Sequence, residues 1–314
     1  MISFRFHVVS ITAVFLAIAI GVVVGTTYVD RAVVDSLENR VDRVSNNLDQ
    51  RKAENDALEG SLNDLRGYAG ASADWAVTGR LTDVPLVLFA VRGLDGDVAT
   101  KTLALARHAG ASVPGVTWLE DRWALEGDDD HDALATAAGV DSSSSDTTLR
   151  ADALAALVAA LGVPGEGATP EEGAALLDRM VEAGFLKVDS EGDGAPALDE
   201  LAGVGPRVLL VTSSDVPDNL GSLIGPLATR ASSAGLATVA AEAYVSKSDG
   251  PKRGEVLLTA LDDARDRVAV VDDLEAPEGR VAAILGLGEV AAGRVGHFGY
   301  GNGADGVLPA WTAP

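Results

Sequence analysis

The sequence has no cysteine, only five lysines, four histidines and two methionines among its 314 residues. Without cysteine the chain has no disulfide, zinc–thiolate site, iron–sulfur cluster or thiol nucleophile. Acidic side chains outnumber basic ones by 47 to 24, which gives a formal net charge of −23. Because the sequence contains no basic patch, nucleic-acid phosphates would repel it, and we expect no nucleic-acid partner.

The amino-terminal segment is predicted to anchor the chain in a membrane. Residues 8–29 carry no charge, and as a helix they would extend roughly 33 Å, enough to cross a bilayer core. A cleaved signal peptide is the alternative, because residues 17–19 (Ala-Ile-Ala) match the small-x-small cleavage pattern. The apolar run continues beyond that point, which favours an uncleaved anchor comprising residues 1–29. With Arg5 before the run and Asp30 after it, we expect a cytoplasmic amino terminus and an extracytoplasmic remainder at the cell membrane.

One face of the predicted membrane helix consists of small residues. They recur every four positions, at Ala13, Ala17, Gly21 and Gly25. Small side chains let two helix backbones approach closely in lipid, so this face is a candidate for dimerisation within the membrane. Since Gly and Ala are common in spans and in this chain, a chance occurrence remains the alternative.

Residues 30–67 carry a heptad pattern typical of a coiled-coil stalk. Most a and d positions over about five heptads are apolar, which exceeds the three to four heptads that a coiled coil requires. A single Asn at an a position favours a parallel dimer with a fixed register. The alternative is a long amphipathic helix that docks on its own globular domain. The predicted dimerisation residues are Val34, Leu37, Val41, Val44, Leu48, Asn55, Leu58, Leu62 and Leu65.

The remaining chain, residues 80–314, is predicted to form an α/β domain with a mostly parallel sheet, after a Gly- and Ala-containing join over residues 67–82. Short apolar runs alternate with helical patterns, as in parallel sheets covered on both faces. The predicted strands are residues 85–91, 113–119, 207–212, 238–243 and 267–271, and the predicted helices are residues 97–109, 148–161, 170–183, 219–234, 254–264 and 278–292.

Two polar stretches interrupt this alternation. Residues 126–145 contain an acidic cluster at 128–132 and a serine run, and we expect them to form an exposed insertion. Residues 191–196 are expected to form a second exposed loop. The acidic cluster lacks the Gly and terminal Glu spacing of a calcium loop, so a solvated loop is its favoured interpretation.

The sequence offers few ligands for a metal. Imidazole is the main copper or zinc ligand left to a chain without cysteine, yet no two histidines have a ligand-like spacing. His7 precedes the membrane helix, and His108 lies near a predicted helix end, where a cation offsets the dipole. His297, His131 and Asp130 remain weak metal candidates, and the residues themselves indicate no cofactor.

The carboxyl-terminal segment is rich in glycine around His297. Residues 301–306 formally match G-x-G-x-x-G, but no strand precedes them and no helix follows, so we reject nucleotide binding. The glycines are expected to allow tight turns with positive φ. No G-x-S-x-G elbow is present, and we expect no enzymatic activity. An enzyme would require a pocket joining His297 to Asp272 and Asp273, which end a predicted strand.

The two ends of the chain resemble the actinobacterial copper transporter family. The resemblance rests on residues 2–10 (ISFRFHVVS) with the following small-residue helix, and on residues 271–280 (VDDLEAPEGR) and 293–304 (GRVGHFGYGNGA). It implies a role in copper homeostasis or efflux across the cell envelope, with copper as the transported species. One membrane helix forms no pore alone, so transport would require an oligomer.

Two functional hypotheses follow, from different classes. The first is a membrane-anchored copper transport protein that acts as a homo-oligomer. The second is a dimeric, membrane-anchored envelope adaptor whose outer domain binds a cell-wall enzyme or its regulator. The resemblance favours the first, and the scarcity of copper ligands favours the second. A copper titration of the outer domain discriminates between them.

The heptad pattern yields a direct prediction about assembly. Leu58→Asp or Val41→Asp places a carboxylate in the apolar seam. We expect either change to dissociate the stalk, because burying a charge between two helices costs more free energy than the apolar contacts of the seam contribute. Sedimentation of residues 30–314 measures this. An unchanged sedimenting species after either substitution would refute the predicted pairing.

Overall fold

A computed structural model of the chain describes residues 4–127, 129–162, 168–190 and 195–310, with the backbone but not the side chains of residues 26–32. The chain divides into two compact units, Met1–Leu65 and Arg66–Pro314. The described residues of the first unit are helical, and the second unit contains the sheet. The three-part division predicted from the sequence, with boundaries at residues 29, 67 and 80, stays a prediction.

Helix α1 extends without a break over Phe4–Val77. Its first 22 described residues, Phe4–Gly25, contain an unburied 18-residue window with a mean hydropathy of 2.7, so this segment is long and apolar enough to cross a membrane. The predicted join over residues 67–82 is wrong in its first part, because α1 continues to Val77. Ala73 and Val77 bury their side chains in the second unit, and this packing stabilises helix where Gly and Ser alone would not.

The described residues of the second unit form a seven-stranded sheet in the order β3-β2-β1-β4-β5-β6-β7, and among its strand pairs only β2–β3 is antiparallel. This confirms the predicted mostly parallel α/β arrangement. The strands are β1 Leu86–Val91, β2 Val116–Leu119, β3 Leu186–Asp189, β4 Arg207–Ser213, β5 Thr238–Ala243, β6 Val268–Val271 and β7 His297–Phe298.

Helices cover both faces of the sheet. On one face, α3, α4, α5, α7 and α8 pack against alternate strand residues such as Val87 and Phe89. On the other, the end of α1, α2 and α9 pack against Leu86 and Leu88. The helices are α2 Gly96–His108, α3 Asp130–Ala138, α4 Asp146–Leu161, α5 Pro170–Glu182, α6 Asp218–Gly221, α7 Ile224–Ser233, α8 Glu255–Ala260 and α9 Pro277–Ala291.

The five predicted strands are present, with ends shifted by at most three residues. The predicted strands do not include β3, an edge strand that carries Lys187 and Asp189, or β7, which has only two residues. The predicted helix over residues 219–234 is divided into α6 and α7. The one predicted over 254–264 ends at Ala260 and continues as a single 3-10 turn, Asp262–Ala264.

The predicted exposed insertion over residues 126–145 is wrong. It contains α3, whose Leu134 and Ala138 are buried in the core, and Gly139 ends the helix in the left-handed region at φ 69°. The acidic cluster resembles a polar loop in the sequence. In the structure its carboxylates occupy the first turn of α3, where negative charge interacts favourably with the helix dipole. Asp128 lies outside the described residues, as do residues 191–194 of the second predicted loop.

Candidate functional site

Three carboxylates meet where the parallel strands β5 and β6 end. Glu242 lies in β5, and Asp272 and Asp273 follow β6 directly. All three side chains are fully buried. Because parallel strands present their carboxyl ends at the same edge of a sheet, this edge is the usual position for functional groups in α/β folds. We call these three residues the carboxylate cluster.

The carboxylate of Asp272 is bound by the carboxyl-terminal segment. The backbone N–H groups of Tyr300 and Gly301 donate to its Oδ1 and Oδ2, each at 2.9 Å. His297 Nε2 lies 2.5 Å from Oδ2. The Asp272 backbone N–H in turn donates to the Phe298 carbonyl at 3.1 Å. Asp272 therefore joins the end of β6 to β7 and to the glycine-rich turn that follows it.

Two glycines make this approach possible. A Cβ on Gly299 would lie 2.1 Å from Asp272 Oδ1, and a Cβ on Gly301 would lie 2.3 Å from Oδ2. Gly299 also has φ 129°, in the region that favours glycine. The expected tight turns with positive φ are present, but the sequence analysis missed the close approach. The N–H of Gly301, the first residue of the G-x-G-x-x-G match, therefore binds the chain's own carboxylate, together with the N–H of Tyr300 before it.

Glu242 binds the amino-terminal end of α8. Its Oε1 accepts from the Gly254 N–H at 3.0 Å and its Oε2 from the Leu257 N–H at 3.2 Å. These bonds favour the charged carboxylate. Burial outweighs them and raises the pKa of Glu242 from 4.5 to about 7.

Asp273 is buried without a hydrogen-bond partner on either carboxyl oxygen among the described residues. Burial is the largest cause that raises its pKa from 3.8 to about 7, followed by the charges of Asp272, Glu275 and Glu278. A Cβ on Gly279 would lie 2.6 Å from Asp273 Oδ1, so the first turn of α9 also packs closely on this carboxyl group. A pKa of about 7 leaves Asp273 partly protonated at neutral pH, which lowers the cost of burying its carboxyl group.

Two arginines border the cluster. Arg253 Nη1 donates to the Asp272 carbonyl at 2.9 Å and to Glu275 Oε1 at 2.6 Å, and its guanidinium stacks 4.6 Å above the Tyr244 ring. Arg280 Nη1 donates to the Leu274 and Glu275 carbonyls at 3.1 and 3.0 Å. Both cations thus bind backbone carbonyls of the loop between β6 and α9, and they offset part of the negative charge.

A cavity of about 490 Å³ adjoins His297 at the outer edge of the sheet. Its wall includes Arg265, Asp266, His297, Asn302 and Asp305, but neither aspartate of the carboxylate cluster. The His297 side chain is 11% exposed. The pocket that an enzyme would require, joining His297 to both aspartates, is therefore not this cavity.

The other predicted metal candidates form ion pairs around α3. His131 Nδ1 lies 2.7 Å from Asp146 Oδ1, which raises the His131 pKa, and its Nε2 lies 3.0 Å from the Ser142 carbonyl. Asp130 Oδ1 accepts from Arg122 Nε at 2.7 Å, and this bond lowers the Asp130 pKa. In the part of the chain that the structure describes, no three or more His, Asp or Glu side chains are grouped to hold a metal ion.

The predicted self-association residues all lie on α1 and are exposed. The apolar members of the stalk stripe have between 50 and 65% of their surface accessible: Val34, Leu37, Val41, Val44, Leu48, Leu58, Leu62 and Leu65. Asn55 is exposed on the same helix, as are Ala13, Ala17, Gly21 and Gly25 of the small face. The structure thus places these residues on an open helix surface, and their pairing stays a prediction.

Comparison with known proteins connects this chain to copper transport. A family model described as "Copper transport outer membrane protein, MctB" matches residues 1–309. Proteins named copper transporter MctB from Mycobacterium bovis and Mycobacterium tuberculosis are each 25% identical over 317 residues, an alignment that covers 97% of this chain and 98% of each relative. The resemblance seen at the two ends therefore extends over nearly the whole sequence.

The close approach of Gly301 to Asp272 can be tested by adding one methyl group. Gly301→Ala should lower the free energy of unfolding by about 2 kcal/mol or more, because the new Cβ collides with a buried carboxylate. Gly288→Ala, in α9 with open space around it, is the matched control and should be neutral or slightly stabilising. Urea unfolding of the full chain in detergent, followed by tryptophan fluorescence, measures both. Equal stabilities of the two variants would contradict the packing described.

The carboxylate cluster predicts a stability that falls as the pH rises from about 4 to about 7. Between pH about 4 and about 7 the folded state retains protons on Glu242 and Asp273 that the unfolded chain has lost. Each group then lowers the unfolding free energy by up to about 1.4 kcal/mol per pH unit. Asp273→Asn should remove one of the two contributions, so its stability should fall less steeply between pH 5 and 7.

Urea unfolding at several pH values measures how steeply the free energy of unfolding falls with pH in the wild type and in Asp273→Asn. Gly288→Ala changes no titratable group and should run parallel to the wild type. A slope for Asp273→Asn equal to that of the wild type would show that Asp273 is ionised in the folded protein.

Proposed function

The chain belongs to the MctB copper transport family, and from this premise we propose that it serves copper homeostasis as a membrane-anchored oligomer that contributes to copper efflux. The family match over residues 1–309 is the observation that carries the proposal. Copper is the cargo in this proposal, and the protein needs no resident metal for it. The α/β unit then lies outside the cytoplasm.

The amino-terminal helix supports membrane attachment. Phe4–Gly25 is apolar, unburied and long enough to cross a bilayer core of about 30 Å as a helix. Arg5 precedes the apolar run and Asp30 follows it, which favours a cytoplasmic amino-terminal side. We therefore propose a single-pass protein of the cell membrane with an uncleaved anchor.

The exposed stripe on α1 supports pairing. Apolar side chains at heptad spacing have no partner in the described part of a single chain, and a second helix with the same stripe would cover them. Asn55 at an a position favours a parallel pair in one register. A parallel pair also places the small faces of the two membrane helices together. Because one helix forms no path across a bilayer, a contribution to transport requires such an assembly.

The adaptor hypothesis is the second candidate, and the histidine environments favour it. His131 is bound to Asp146, and His297 lies beside Asp272. These two imidazoles, the metal candidates of the sequence, are thus already in contact with carboxylates of the fold. In this hypothesis the paired anchor presents the α/β unit to a cell-wall enzyme or its regulator.

Deletion and complementation in the producing organism test the copper proposal. We expect the deletion to raise cellular copper and lower copper tolerance, and the wild-type gene to restore both. Val41→Asp should fail to restore them because it disrupts pairing. Asn46→Asp, which adds a carboxylate at an f position opposite the seam, is the matched control and should restore both. Unchanged copper content and tolerance in the deletion strain would overturn the copper proposal and leave the adaptor.

A further inference from the structure

A buried carboxylate fixes which ring nitrogen of His297 carries a proton. His297 Nε2 lies 2.5 Å from Asp272 Oδ2, and this oxygen also accepts the Gly301 N–H at 2.9 Å. Because the carboxylate oxygen is the acceptor in this contact, the shared proton lies on Nε2. The hydrogen-bond pattern therefore assigns the tautomer in which the neutral imidazole has its lone pair on Nδ1.

The second ring nitrogen, Nδ1, is left for a ligand. It has no hydrogen-bond partner among the described residues. His297 lines the cavity of about 490 Å³ at the outer edge of the sheet, whereas Asp272 does not. Metal-ligating histidines almost always donate one ring N–H to a carboxylate, a carbonyl or water and bind the ion through the other nitrogen. The contact with Asp272 thus occupies one nitrogen and orients the other.

Asp305 is held beside His297 by two hydrogen bonds to its backbone. Asp305 Oδ2 accepts the His297 N–H at 2.9 Å, and the Asp305 N–H donates to the His297 carbonyl at 2.7 Å. Its other oxygen, Oδ1, has no partner in the described part of the chain, and Asp305 lines the same cavity. Imidazole nitrogen and carboxylate oxygen are ligands that suit Cu²⁺. The two residues therefore supply one nitrogen donor and one oxygen donor at this wall.

The charge of the cavity wall favours a cation. Among the described residues that line it, Asp266 and Asp305 outnumber the one permanent cation, Arg265. Arg265 directs its guanidinium to the backbone, because Nε and Nη2 donate to the Leu258 carbonyl at 3.1 and 2.6 Å. A cation that enters the cavity thus meets more negative than positive charge.

The other histidines are less suited to this contact. Both ring nitrogens of His131 already lie against acceptors of the fold. His108 is exposed at the end of α2, where Nε2 lies 3.2 Å from Thr78 Oγ1, and it does not line the cavity. His7 lies in the apolar segment of α1. Among the described residues, His297 therefore combines an unbound ring nitrogen with a place on the cavity wall.

We infer that Cu²⁺ binds in this cavity at His297 Nδ1 and the carboxylate of Asp305. The inference rests on the proposed copper function and names the residues that meet the cargo. No third His, Asp or Glu joins them in a ligand group within the described ranges, so water fills the other coordination positions. Such an ion is held weakly, as a cargo that must leave again requires. Asp272 is a positioning residue, because it orients the ring without touching the ion.

Labelled histidine tests the inference in the wild-type protein. In the full chain, kept in detergent near neutral pH, ¹⁵N-labelled histidine gives ring signals from only four residues. The His297 signals are assigned by their loss in His297→Gln. They should show a protonated Nε2 and an unprotonated Nδ1, and a small amount of Cu²⁺ should broaden them first. A protonated Nδ1 on a neutral ring would overturn the inference, as would broadening of another histidine while the His297 signals persist.

Equilibrium dialysis of the full chain against copper sulfate gives a second readout. His297→Gln should weaken Cu²⁺ binding by about tenfold or more, because it removes the nitrogen donor. His108→Gln is the matched control and should bind as the wild type does. Unchanged affinity in His297→Gln would contradict the site.

A second pair of variants separates a ligand from a general charge effect. Asp305→Asn keeps an oxygen for the His297 N–H but removes the carboxylate, and it should weaken Cu²⁺ binding several-fold. Asp266→Asn removes the same charge from the cavity wall and should have a smaller effect, because Asp266 is not bonded to His297. Equal losses in the two variants would overturn the role of Asp305 as a ligand.

Failure of this inference differs from failure of the copper proposal. If the deletion strain loses copper tolerance but Cu²⁺ does not bind at His297, the copper function stands and this site is wrong. If Cu²⁺ binds at His297 but the deletion leaves cellular copper unchanged, the site stands and the copper function is wrong.

Discussion

The carboxylate of Asp272 connects segments that are distant in sequence. It follows β6, and its oxygens bind the N–H groups of Tyr300 and Gly301, 28 and 29 residues further along the chain. These bonds add to the two-residue pairing of β7 with β6 and to the bridge between Phe298 and Gly306. The sheet edge, the turn around Gly299 and the orientation of His297 therefore all depend on one buried anion and on the glycines that let the backbone reach it.

Burying several carboxylates close together is electrostatically unfavourable, and the fold reduces this cost in two ways. Arg253 and Arg280 bind the loop that carries the cluster, and Glu242 and Asp273 have pKa values near 7, so both are partly protonated at neutral pH. Three ionised carboxylates in this space would repel one another strongly in a poorly polarisable interior. The glycine-rich segment is thus a structural anion cradle, and its resemblance to a nucleotide motif reflects the same backbone chemistry with an internal ligand.

The sequence was sufficient for the fold class because the central strands are short apolar runs between helices. The sequence did not predict the helical segments that tertiary packing determines. α3 begins in an acidic cluster, and the last turns of α1 contain Gly and Ser, yet both are helical because Leu134 and Val77 are buried. The sequence singles out Asp272, Asp273 and His297 as the residues that an active-site pocket would have to join. It could not show that Asp272 is bound by Gly301, because a glycine chosen for close approach and one chosen for a turn look the same in a sequence.

The neutral carboxyl groups of Glu242 and Asp273 also affect the heat of unfolding. At slightly acidic pH the native protein holds protons that the denatured chain gives to the buffer. The calorimetric enthalpy therefore includes the ionisation heat of whichever buffer takes up those protons, and it differs between phosphate and an amine buffer at the same pH. The difference in unfolding enthalpy between the two buffers, divided by the difference in their ionisation heats, gives the number of protons released. That number reports the protonation of the buried carboxyl groups at this edge of the sheet.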